Sequence, residues 1–397
     1  MCIQEKIKNL AQDIEENTIQ IRRKLHQYPE LAFKEEKTAK LISKELKRYN
    51  GFDIYSNYGG TTGVIGVIKG EKPSSTRALR ADIDALAIKE DTGLPYSSQV
   101  KEKMHACGHD VHTAILLGTA NLLSKLKPDL SGKVVLIFQP AEEAGTGAKK
   151  LIDKGIIKEF GIEMIFGYHV WPDLPVGVIG ICSGVLTSQA DKIVIEINGK
   201  GTHATKPDKG IDPIVIASYL ILAYQELISK EISPLNPVTL NFGYIQAGNV
   251  YNAIPEKAIL KGTLRTFNSA TRNYALQRIE EILNGITSTF RAKGKLYHNP
   301  RSPSVVNHPL LTSEVARWAK EIWGEKDIVR LTKPIMVAED FSYYCKKVPS
   351  FYGLLGIGGD HDLHSSRLAL DESMIIKAII RNTYLAYKSS EIKNMNN

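Results

Sequence analysis

Four cysteines, at positions 2, 107, 182 and 345, are too few and too widely spaced to form a disulfide framework. They point instead to a reducing, cytoplasmic setting, in which Cys107 stays available as a metal ligand. The longest apolar stretch, around Pro213 to Tyr224, falls short of the roughly 20 residues a membrane-spanning helix needs. The opening segment, Met1 to Thr18, is charged and has no apolar core of a signal peptide. Basic residues exceed acidic ones, 51 against 43, but no basic block or aromatic-basic ladder concentrates the excess of +8. That distribution reads as solvated surface and argues against a nucleic-acid footprint. A mild positive field also suits a substrate with a free carboxylate.

With 397 residues, 43% hydrophobic and 24% charged, the chain is a soluble globular protein too long for one ordinary core. Helical spacing of apolar residues marks Asn17 to His26, Glu35 to Arg48 and Thr113 to Leu126. Thr62 to Ile68, Arg77 to Arg80, Lys133 to Phe138, Met164 to Tyr168 and Phe351 to Ile357 read as strands, several continuously apolar as in a sheet buried on both faces. Strands alternating with helices predict an α/β domain with a mixed, largely parallel sheet flanked by helices. From about Gln189 the texture changes. Strand, helix, strand, strand, helix, strand follow at Lys192 to Asn198, Pro213 to Lys230, Val238 to Ile245, Lys257 to Thr266, Thr271 to Arg291 and Lys295 to His298. That is the ferredoxin-like order. The expected organisation is a first domain part over 1–186, an inserted α+β domain over 187–298, and a return to the first domain over 299–397.

The densest chemical feature is His105-Ala106-Cys107-Gly108-His109-Asp110-Val111-His112, three of only 10 histidines within eight residues. Gly108 suggests a turn on which Cys107 and His109 converge. A plainer reading, a helix start capped by Asp110 with solvated histidines, remains open for His105 and His112. Glu142 and Glu143 follow the strand Lys133 to Phe138, at the strand end where α/β sheets place ligands. One of the pair can bind metal while the other takes a proton from water. His169 closes one apolar run and His364 follows another, and Asp82 and Asp84 end a third. Cys107, His109, Glu143, His169 and His364 can therefore face one crevice, with sulfur, nitrogen and oxygen donors suited to zinc or another late first-row ion.

These segments resemble the zinc-dependent aminoacylase/carboxypeptidase family, in the branch of hippurate hydrolase, auxin-conjugate amidohydrolases and thermostable carboxypeptidases. The likeness runs through Arg22 to His26, Leu79 to Leu86, Met104 to Asp110, Phe138 to Glu143, Gly210 to Pro213, Asn252 to Pro255, Gly262 to Arg265 and Glu339 to Phe341. It implies a zinc-exopeptidase-like fold whose inserted domain serves as lid and dimerisation surface. It also implies two divalent metal ions, zinc foremost with manganese or cobalt possible, on the five residues above. Glu142 becomes the general base, and Asp84 a residue that orients a ligand histidine. His203 would stabilise the oxyanion, often in a partner subunit's site, and Asn252 and Arg265 would hold substrate. A homodimer or higher homo-oligomer through the lid follows from that role. Asp82 stands where many wider-family members carry a metal histidine, Ala87 where a proline is usual, and Thr202 where a glycine is common.

The implied reaction is hydrolysis of the amide bond of N-acyl amino acids such as N-acetyl or N-benzoyl compounds. A carboxypeptidase or dipeptidase acting on short peptides, or a deacetylase of N-acetyldiaminopimelate, fits the same residues. A Cys107/His109 thiol hydrolase would leave the other histidines and glutamates without a role. A non-catalytic metal- or peptide-binding relative would be expected to have lost Glu142 or a ligand, and this chain has lost neither.

Overall fold

A computed structural model describes residues 1–392. It divides into two compact units. One comprises Met1–Leu186, Val305–Pro334 and the residues from Asp340 onward; the other comprises Thr187–Ser304 with Ile335–Glu339. The boundary expected at 298 falls inside the strand Lys293–Ser302.

The first unit is built on an eight-stranded sheet in the order Phe52–Ser56, Val64–Lys69, Ser131–Gln139, Lys72–Asp82, Met164–Trp171, Ser350–Gly356, Ile179–Ile181, Ile328–Arg330. The four strands from Ser131–Gln139 to Ser350–Gly356 run parallel, and antiparallel pairs flank them on both sides. Val134 to Phe138 are all buried, as a strand covered on both faces requires. The sheet is thus mixed with a parallel centre, in line with the expected class. The strand read as Arg77 to Arg80 is longer, and it carries Asp82 as its last residue. Met164–Trp171 extends past His169, so this histidine lies within the strand and does not end it. A further helix at Ile3–Gln12 lies in the charged opening segment.

The helix His109–Lys125 is buried almost all round, and the helices Glu15–Gln27, Glu36–Arg48 and Ser373–Lys388 pack against it. Its start fits the turn read at Gly108 and not the plainer reading of an Asp110 cap: Gly108 occupies the N-cap position. Gly108 has φ 76°, and a Cβ there would sit 2.5 Å from Val170 Cγ2. Only glycine lets the chain turn between Cys107 and His109 while passing this close to the neighbouring strand.

In the second unit four antiparallel strands lie in the order Val238–Ala247, Lys257–Thr266, Gln189–Asn198, Lys293–Ser302. This is the ferredoxin-like arrangement. Ile193, Ile195 and Ile197 alternate inward onto Ile216, Leu220, Ile279 and Leu283 of the helices Pro213–Glu226 and Ser269–Thr289. Asp212 caps the first helix through Ile214 N–H, with Pro213 following, and Asn268 caps the second through Thr271 N–H. The first helix stops at Glu226, and a π turn at Leu227–Glu231 occupies the stretch read from sequence as its last turn.

Gly108→Ala is expected to lower unfolding free energy by about 1–3 kcal/mol, because it combines a left-handed strain with a steric clash. Urea denaturation measures this; a wild-type midpoint would show that the turn does not depend on glycine.

Candidate metal centre

Four parallel strands end on the same edge of the sheet, and each delivers chemistry there or just beyond. Past Gln139, the segment 140–147 folds back on itself: Gly145 N–H donates to Glu142 O at 2.6 Å and Gly147 N–H to Ala141 O at 3.2 Å. Ala141 takes a left-handed conformation, φ 56°. The Glu142 and Glu143 N–H groups both donate to the buried Asp84 carboxylate, to Oδ1 and Oδ2, at 3.0 Å each.

Asp84 also contacts His109. His109 Nδ1–H donates to Asp84 O at 2.9 Å, with Asp84 Oδ1 at 3.3 Å. The opposite nitrogen, Nε2, is buried without a hydrogen-bond partner among the described residues. His169 is set the same way: Nδ1–H donates to Val170 O at 2.7 Å and Nε2 lies 3.3 Å from Cys107 Sγ. His364, itself left-handed at φ 66°, donates its N–H to Ala106 O at 2.7 Å. Its Nε2 reaches Cys107 Sγ at 3.3 Å and Glu143 Oε1 at 3.4 Å.

Two three-donor groups result, Cys107–His109–His169 and Cys107–Glu143–His364, with the donor atoms of each within 4.8 Å of one another. Cys107 belongs to both. Glu142 forms a further group with His109 and Glu143, and its Oε1 accepts from Asp340 N–H at 3.4 Å. A buried, unpartnered imidazole nitrogen facing sulfur, nitrogen and carboxylate donors fits a cation of the zinc type.

Asp82, His109 and His112 also cluster, but hydrogen bonds already use that group. His112 Nδ1–H donates to Asp82 Oδ1 at 2.5 Å, and His112 Nε2 accepts from Val170 N–H at 2.9 Å. Arg80 donates to Asp82 Oδ2 at 2.6 Å and to Asp340 at 2.9 Å. Burial opposes charge on Asp82, yet His109, Arg80 and His112 hold it well below the usual carboxylate range. Asp82 and His112 are therefore supports. His105 is buried, and desolvation pushes it down to about 3, so its ring is neutral. The Asp82–Arg80–Asp340 network has no signature in the sequence, because Arg80 and Asp340 are 260 positions apart.

The remaining candidates lie in the second unit. Ala253 pairs with His203 across a two-residue ladder, and Ala204 N–H donates to Asn252 O at 3.1 Å, so His203 and Asn252 sit together. Arg265 does not join them. It is half-buried near the far end of the strand Lys257–Thr266, donating to Met336 O at 3.1 Å, and desolvation lowers its pKa. Eight residues separate it from Lys257, about 26 Å at the usual strand rise.

The model of peptidase family M20/M25/M40 matches residues 78–385. The chain belongs to this family. It is 42% identical over 378 residues to an N-acetyl-L-cysteine deacetylase of Bacillus subtilis, covering 95% of this chain and 88% of that one. It is 37% identical to thermostable carboxypeptidase 1 of Saccharolobus solfataricus, covering 98% and 100% of the two chains. A Bacillus subtilis crystal structure described as a dinuclear metal binding peptidase superposes with a TM-score of 0.85 at 35% identity, covering 96% and 99%. This M20 chain is a hydrolase of amide or peptide bonds. No helix among the described residues is long and apolar enough to cross a membrane.

Desolvation, reinforced by Glu143, pushes the Cys107 thiol well up. Burial opposes a charge on His109, but the Asp82 carboxylate outweighs it and raises its pKa well above the usual value. Metal uptake must therefore expel protons from both groups. Apparent affinity for zinc is expected to rise with pH, with proton release measurable by calorimetry in buffers of different ionisation enthalpy. Uptake without pH dependence or proton release would contradict this donor set.

Proposed function

We propose that this M20 hydrolase is a cytoplasmic amidohydrolase of N-acyl amino acids. In this reading two divalent ions, zinc foremost and manganese or cobalt as alternatives, are held by Cys107, His109, Glu143, His169 and His364. The observation that carries the reading is the sharing of Cys107 between two three-donor groups beside Glu142. Bound there, the ions would lower the pKa of a water toward about 7 and polarise the scissile carbonyl. Glu142, its Oε1 oriented by Asp340 N–H, takes the proton of the attacking water and returns it to the leaving amine. Asp84 keeps the Glu142 and Glu143 main chain and His109 in register while this happens.

His203 serves as a donor to the tetrahedral oxyanion. Thr205 N–H donates to His203 Nδ1 at 3.2 Å, so a neutral ring carries its proton on Nε2, ready to donate. Asn252 and Arg265 hold the substrate, Arg265 through the free carboxylate. His203 and Asn252 stand at a separate short ladder, before the Lys257 end of the strand that carries Arg265 near its other end, and in this reading one copy does not bring both to the same small molecule. A homodimer resolves this, with His203 and Asn252 reaching the partner's site. Supporting it, Val215, Tyr219 and Leu222 form an exposed stripe at helical spacing. The edge strand Val238–Ala247 also exposes Tyr244 and Ile245. The carboxypeptidase relative favours a second reading within the same chemistry, a carboxypeptidase acting on short peptides.

Amine release from N-acetyl and N-benzoyl amino acids and from dipeptides, by chelator-stripped protein with and without added metal, tests the reaction and ranks the two readings. Full activity in stripped protein would remove the metal reading. Glu142→Gln should keep its metal and lose about 100-fold or more in kcat; retention of over a tenth would dismiss Glu142 as base. Neither Glu142→Gln nor His203→Ala should be active alone, but a refolded mixture should recover turnover, since one mixed site is intact. No recovery would place His203 in its own subunit's site.

A further inference from the structure

Glu35 is neither donor nor base in the reaction above, yet its carboxylate is fully buried against the loop that carries both. It stands just before the helix Glu36–Arg48 and gives its main-chain carbonyl to the first turn, accepting from Ala39 N–H at 2.9 Å. Its side chain runs the other way, inward. Oε1 accepts from Ala141 N–H at 2.9 Å, and Oε2 accepts from the Thr62 hydroxyl at 2.5 Å.

The residue it holds is the strained one. Ala141 sits at φ 56°, a conformation that costs a residue with a Cβ about 1 kcal/mol or more and persists only where its surroundings enforce it. The next two N–H groups go to Asp84. Three successive backbone donors are thus taken by two buried carboxylates from distant parts of the chain, an anion-binding array filled by the protein itself. From the other side, Gly147 closes the loop so tightly that a Cβ there would lie 1.7 Å from Pro140 O. A buried carboxylate is expensive to desolvate, and here burial, with Asp84 adding, raises the Glu35 pKa. An apolar side chain would fill the same space without that cost.

We propose that Glu35 is a positioning residue for the hydrolysis: by holding Ala141 N–H in its left-handed turn, it sets the direction in which the Glu142 carboxylate leaves the main chain. The proposal rests on Glu142 being the base. What matters is an acceptor of the right reach. Glutamine supplies one, with its oxygen on Ala141 N–H and its amide donating to Thr62. Aspartate, one methylene shorter, keeps the charge but falls short. Leucine removes the acceptor.

The test measures kcat, KM, metal content and thermal unfolding for Glu35→Gln, Glu35→Asp and Glu35→Leu, each alone and in the Glu142→Gln background. Glu35→Gln should stay within about threefold of wild type. Glu35→Asp and Glu35→Leu should lose about 10- to 100-fold in kcat with metal content and KM little changed. Placed on Glu142→Gln, the same changes should add almost nothing, because residues acting through one group are not additive. Wild-type kcat per metal-loaded site in Glu35→Asp would overturn the proposal, and so would a loss that multiplies in full onto Glu142→Gln. Aspartate outperforming glutamine would also overturn it, by showing that charge and not reach is what counts. If Glu35→Leu does not fold, the aspartate and glutamine pair decides alone. Failure of Glu142 as base is read separately, from the Glu142→Gln single variant.

Discussion

A carboxylate with no solvent around it must find donors, and the centre of this enzyme is organised by how Asp84 finds them. Its two oxygens take the N–H groups of Glu142 and Glu143, and its own carbonyl takes His109 Nδ1–H. One residue just past the end of the strand Lys72–Asp82 therefore ties the glutamate loop after the adjacent parallel strand to the turn that opens the helix His109–Lys125. Unpaired, any of these groups would cost about 1–3 kcal/mol. The three segments therefore lock together, and the lock leaves His109 Nε2 buried without a hydrogen-bond partner among the described residues.

The same logic extends outward through two buried charge networks. Arg80 joins Asp82 to Asp340, and Gln139 adds a donor to Asp340 at 2.8 Å. Arg22, buried, pairs with Asp110 at 2.9 Å and with Glu372 at 3.1 Å, and His26 Nδ1 lies 2.8 Å from Asp110. Buried pairs of this sort add little net stability against well-packed apolar residues, but breaking one is costly. Their effect is on registry. They hold the strand ends, the start of the buried helix and the loop before Phe341 in a single arrangement, so that a cation, once bound, meets donors already aimed.

The second unit obeys a different economy. Its core is a plain alternation of isoleucines under two capped helices. Its chemically interesting residues stand on the surface, with His203 exposed beside Asn252. Nothing buried demands those positions, which is why composition and spacing pass over them and only the resemblance singled them out.

Much of the architecture was readable because burial leaves a period in the sequence. Lys133 to Phe138 reads as a doubly covered strand, and Lys192 to Asn198 reads as a half-covered one. The five candidate donors and the glutamate pair stand out in the sequence as well, since each follows an apolar run or crowds one glycine turn. Other features lay beyond reach. The turn at Gly108 is legible in the sequence, but only the closeness of Val170 shows why glycine is needed there. In the sequence Glu35 marks only the start of a helical stretch; the fold sets it against Ala141. The sequence by itself determined which residues carry donors and which strands deliver them, for those depend on residue type and local period. Only the tertiary structure decided which oxygen takes which N–H, that Cys107 is shared and that His112 is spent on Asp82. Hydrogen bonds across hundreds of positions have no local signature, and the need to satisfy buried polar groups appears only once the chain has closed around them.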